Sequence, residues 1–100
     1  MLLHTVNKSP FERNAFASCL DHAQPGASIL LIEDGVYAAI NGTRVSTRLL
    51  DALTRLPIYA LAPDVDARGL RGKLVEGVTL VDYGGFVDLV TQHSAVQSWL

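Results

Sequence analysis

One hundred residues, 49% of them hydrophobic and 18% charged, with a net charge of −2, make one domain (1–100) able to bury about 60 to 70% of its unfolded surface. The charge excludes the broad basic footprint of a nucleic-acid binder. The single cysteine, Cys19, excludes an intrachain disulfide and a cysteine-rich zinc site.

No run approaches the roughly twenty apolar residues that span a bilayer, and the start lacks a basic stretch feeding a long apolar one. With one unpaired cysteine, this leads us to expect a cytoplasmic protein. So many apolar residues beside so few charges leave little polar surface to cover a monomer, which predicts an oligomer.

The first predicted strand is Leu2 to Val6. Ser9, Pro10 and Glu12 then spell a capping box, with Ser9 as N-cap and Pro10 at the first helical position, so the first helix is expected from Pro10 to about Ala23. Gln24-Pro25-Gly26 stops it. A second strand follows from Ser28 to Glu33, and Asp34 is placed to cap a short helix from Gly35 to Ile40.

Thr43 to Leu56 reads mostly as helix, with Leu49, Leu50, Leu53 and Leu56 on one face. Ile58 to Ala62 is a third strand, and Val65 to Leu70 a helical turn with Asp64 and Asp66 near its positive end. Val78 to Asp82 is a fourth strand. Tyr83 to His93 is a final helix with Phe86, Leu89 and Val90 as its apolar stripe, and the tail ends in Trp99-Leu100. Strands alternating with helices predict a three-layer α/β/α domain with a mostly parallel sheet of four to five strands.

In such a sheet, sites lie beyond the C-terminal strand ends. Here those are Asn7-Lys8-Ser9, Glu33-Asp34-Gly35, Ala62-Pro63-Asp64 and Asp82-Tyr83-Gly84-Gly85. Asp34, Asp64 and Asp82 read first as caps or turn-formers. Gly72-Lys73 fails the phosphate-loop pattern for want of the upstream glycine and of a following Ser or Thr. Gly69-Leu70-Arg71-Gly72 matches the short nucleic-acid clamp of KH domains but reads better as a helix-ending turn. His4 is expected to be a hydrogen-bonded strand residue, and His22 and His93 helix-end residues. None has metal-site spacing, and no cofactor is predicted.

Cys19 is the one residue with intrinsic sulfur chemistry and the one candidate sulfur-binding site. Helical spacing puts it on the core-facing stripe with Ala15, Phe16, Leu20 and Ala23. A helix starting at Pro10 would put it about 14 Å along the axis, toward the negative end, where a thiolate is disfavoured.

Leu3-His4-Thr5 with Ser9-Pro10, Asp34-Gly35-Val36, Tyr59-Ala60-Leu61, the run Asp64 to Leu70, Asp82-Tyr83 and the terminal Trp99 together resemble the TusB/DsrH family. The resemblance implies a DsrE-like fold and a place beside DsrE/TusD-like and DsrF/TusC-like paralogues in a dimer of heterotrimers. Such complexes pass persulfide sulfur to a DsrC/TusE-like acceptor. The family's principal active cysteine belongs to the DsrE/TusD subunit and has no counterpart here. A cysteine in the first helix, where Cys19 stands, is a DsrH-type trait, which tilts the reading toward sulfur oxidation over tRNA wobble-uridine 2-thiolation. The chain is then expected to be a structural, non-catalytic subunit of a sulfurtransferase complex. The alternative makes it a sulfur carrier through Cys19.

Overall fold

The computed structural model describes residues 1–100. Five parallel strands form one sheet: β1 (Leu2–Val6), β2 (Ser28–Leu31), β3 (Ile58–Leu61), β4 (Thr79–Val81) and β5 (Ala95–Trp99), in the order β4-β3-β2-β1-β5. Four α-helices connect them: α1 (Ala15–His22), α2 (Ser46–Leu53), α3 (Ala62–Ala67) and α4 (Tyr83–Gln92). A 3-10 helix, Glu33–Ala39, leaves the end of β2. The expected parallel α/β sheet is what forms, with five strands.

β1 is an interior strand between β2 and β5, and its apolar run suits a strand paired on both sides. Leu3 pairs with Ser28 of β2 and Val96 of β5, and Val6 with Leu31 and Trp99. β5 was not foreseen as a strand within the predicted tail. All its residues are exposed or half-buried, and it holds its place as an edge by pairing with β1.

The two faces of the sheet are covered unequally. One carries a cluster of 19 buried residues, supplied by α1, α2, α3, the 3-10 helix and the strands, with Phe16, Ile29, Leu49, Ile58 and Val65 among its fully buried side chains. The other holds three, Leu3, Leu30 and Leu89, under α4 alone.

The first helix begins five residues later than the capping box implied. Ser9 Oγ accepts from Phe11 N–H (3.2 Å) and the Ser9 carbonyl accepts from Glu12 (3.2 Å) and Arg13 (3.1 Å), so Ser9 closes a turn. The cause is tertiary. Arg44 donates to the carbonyls of Pro10 (3.5 Å) and Phe11 (3.1 Å) and lies 5.1 Å from the Phe11 ring centroid. Those carbonyls would otherwise accept from Asn14 and Ala15 in a continuous helix.

Other elements shift for local reasons. β2 ends at Leu31 because Glu33 adopts φ +49°, outside the strand region. Asp34 does not cap the following helix, whose N-cap is Ile32, and pairs with Arg68 instead. α3 starts at Ala62, earlier than predicted, with Pro63 inside its first turn, where the missing N–H costs nothing. In α2, Leu49 is buried but Leu50 is exposed, so the apolar face is narrower than its leucines suggest.

Candidate functional site

Beyond the C-terminal strand ends, the acidic residues are committed to structure. Asp64 Oδ2 accepts from the Glu33 N–H at 2.6 Å and satisfies the amide of that left-handed residue. Arg68 donates through Nε (3.0 Å) and Nη2 (2.8 Å) to Asp34 Oδ1 and through Nη1 (3.0 Å) to the Asp64 carbonyl. This triangle ties α3 to the end of β2.

Gly35 closes the same corner. A Cβ there would lie 2.0 Å from the Val6 carbonyl oxygen, so the close approach of β1 requires glycine. At the end of β4, Asp82 Oδ1 accepts from Gly85 N–H at 2.7 Å and caps α4, as the residue types implied. Gly85 is also held to glycine, because a Cβ would meet the Val81 Cβ at 2.9 Å. The carboxylates of Asp34, Asp64 and Asp82 thus serve as an ion-pair partner, an acceptor for a backbone amide and a helix cap.

The Gly69 to Gly72 segment ends α3. Gly69, at φ +65°, donates to Asp66 O (3.1 Å), and Leu70 N–H reaches back to Val65 O (3.1 Å), with Leu70 and Val65 both buried. That is a complete Schellman cap with its hydrophobic contact. Arg71 pairs with Asp66 in a two-point contact (2.8 Å each) that holds the Asp66 carboxyl below its usual range. The glycines here serve a helix end.

Cys19 is 0% exposed, in the larger core with Phe16 and Leu20. Burial pushes its thiol up to about 12. Because α1 starts at Ala15, Cys19 lies only about 6 Å from the helix start. The expected effect of the negative helix end therefore falls away, and desolvation accounts for the shift. The structure brings no second thiol to it and no base near enough to form a hydrogen bond.

The three histidines remain apart in role. His22 Nδ1 donates to Ser18 O (2.7 Å) and His93 Nδ1 to Leu89 O (2.6 Å), each binding a carbonyl at the end of its own helix. His93 Nε2 also reaches Ser28 Oγ at 3.0 Å. His4 is buried, and its Nδ1 accepts from the Trp99 indole N–H at 3.0 Å. That bond joins the first and last strands across 95 positions, and spacing in the sequence gave no sign of it.

Part of what the molecule presents outward is apolar. On α4, Tyr83 is 62% and Val87 61% exposed, with Val90 also exposed; Val96 of β5 is exposed as well. A large apolar surface left open to water marks an association site. Of the apolar stripe expected on this helix, Leu89 is buried, Phe86 is half-buried against it, and Val90 is exposed.

Over this fold, residues 8–96 match the family described as DsrH-like protein. The chain belongs to that family. It is similar over its whole length to protein TusB of Shigella flexneri and to protein TusB of Escherichia coli K12, at 39% identity over 100 residues, covering 98% of this chain and all of each relative. Among solved structures it resembles the ychN protein of E. coli (TM-score 0.77, 18% identity, 97% of both chains). It also resembles protein MTH1491 of Methanobacterium thermoautotrophicum (TM-score 0.70, 17% identity, 97% of this chain and 96% of that one). Those two likenesses show the fold.

Proposed function

We propose that this chain is a structural subunit of a cytoplasmic sulfur-relay assembly, the TusB-type member of a complex that hands persulfide sulfur to a TusE-like acceptor for tRNA wobble-uridine 2-thiolation. End-to-end similarity to proteins named TusB supports the class. The observation that carries the role is the burial of Cys19. Sulfane-sulfur transfer needs a thiolate that can reach a persulfide. A thiol at about 12 is ionised to only about one part in 10⁵ at pH 7, and no solvent path touches it. The reactive cysteine is then supplied by a paralogous TusD-like subunit, and this chain contributes apolar surface that completes the assembly and shapes the acceptor's dock.

The sulfur-oxidation reading rests on a cysteine standing in the first helix. Packing among Phe16 and Leu20 accounts for that cysteine without a role in transfer, so we rank sulfur oxidation second. The test is a complex carrying Cys19→Ala, assayed for sulfur transfer from a persulfide donor to the acceptor, with intact-mass measurement of this chain. The expected result is transfer close to the unsubstituted rate and no 32-Da adduct on this chain in the native complex. Loss of transfer in a normally assembled complex would establish the carrier reading instead.

A further inference from the structure

His4 sits in β1 with its side chain on the larger-core face, since Leu3 before it packs on the other. The residue is 2% exposed, and its Nδ1 lies 3.0 Å from the indole Nε1 of Trp99, the last residue of β5. A tryptophan indole can only donate, so His4 Nδ1 is the acceptor and the neutral ring carries its proton on Nε2. The bond therefore exists only while His4 is uncharged.

A second proton has one place to go. It enters on Nδ1, where it meets the indole N–H, and neither donor then has an acceptor. Nε2–H offers no relief, because that nitrogen is buried and has no partner. An imidazolium here would hold a buried charge with two unanswered N–H groups. Burial holds the His4 pKa below the ordinary 6.5.

The titratable groups around the ring supply no counter-charge. β2 and β5 flank His4 with Ile29 and Gln97, and neither strand has a titratable side chain. From α1 come Cys19, whose thiol is neutral, His22, whose ring lies 5.5 Å from that of Trp99, and Asp21, which is exposed and paired with Arg48. The Met1 amino group is held by Ser94 Oγ at 2.8 Å, and His93 bonds Ser28 on the opposite face.

Of the two partners, Trp99 is the one free to leave. β1 is paired on both sides, whereas β5 is an edge with every residue exposed or half-buried. We propose that Trp99 and His4 form an acid-released latch: a proton on His4 Nδ1 ejects the indole and frees the C-terminal end of β5, uncovering the β1 edge at Thr5 and Val6.

Trp99 is the only tryptophan, so one indole N–H signal reports on the latch. Its hydrogen-exchange protection is measured by NMR in the full chain from pH 8 to 5. The released ring has the ordinary pKa of 6.5 and the docked ring a lower one, so the latch is complete above 6.5 and is lost as pH falls through the docked value. Protection of the indole should drop about tenfold per pH unit within that window, the slope for uptake of one proton. At every pH it should stay below that of the β2 amides, as local opening requires. His22→Gln, a change at an exposed ring, should leave the slope in place. Trp99→Phe, which keeps an aromatic ring and removes the donor, should raise the His4 pKa read from histidine ¹⁵N shifts. Indole protection that is flat with pH or equal to that of the β2 amides, a slope that disappears with His22, or an unchanged His4 pKa in Trp99→Phe would each overturn the proposal.

Discussion

The two faces of the sheet are built to different degrees of completion. Under α1, α2 and α3 the face is a closed core of 19 buried residues, with glycine where backbones touch and a thiol kept neutral among hydrocarbon. Under α4 the buried apolar cluster has only three residues, and the helix turns Tyr83, Val87 and Val90 to water. A sequence that packs one face so fully did not run short of apolar residues. The difference points to the second face being finished by another chain.

The largest effect expected on the finished face is that of Gly35→Ala. Its Cβ would overlap the Val6 carbonyl, which no side-chain adjustment relieves. We expect a loss of about 3 kcal/mol or more, measured by urea unfolding. A near-native midpoint would mean that the junction of β1 and the 3-10 helix is looser than described.

Truncations compare the faces directly. Leu49→Ala, at 0% exposure, should cost about 2–5 kcal/mol. Val87→Ala, at 61% exposure, should stay within about 0.5 kcal/mol in the isolated chain. Comparable losses at the two positions would erase the distinction.

A smaller effect is tied to pH. The folded-state pKa of Cys19 is raised from 9.0 to about 12, so the unfolded chain releases its proton first as pH rises. The neutral thiol's contribution is complete below the unfolded value and is lost between about pH 9 and 12. From pH 8 to 10 the native chain should lose about 1.4 kcal/mol relative to Cys19→Ala. Parallel stability curves for the two proteins would show that the thiol is not dry.

Much of this was legible in the sequence, and the failures have a common cause. The apolar run of β1 and the cap–glycine–stripe pattern of α4 are local signals, and both elements stand within a residue of expectation. The stripe Ala15, Phe16, Cys19, Leu20 announced a buried thiol, and the thiol is buried. The false helix start at Pro10 came from an arginine more than thirty positions away claiming two carbonyls. β5 has no strand pattern of its own and exists by pairing with β1. The Asp64 bond to the Glu33 amide and the Trp99 bond to His4 are likewise products of the topology. Short-range chemistry can be read along the chain, whereas partners brought together by the sheet cannot.

The most direct test of the unfinished face pairs Tyr83→Glu with Val87→Asp on α4, in the chain alone and co-expressed with its TusC- and TusD-like paralogues. Light scattering gives the mass of the assembly, and thermal melting gives the fold of the chain. The account predicts a folded chain with an essentially unchanged midpoint and a complex that no longer contains it. A complex of full mass with both charges on α4 would contradict it.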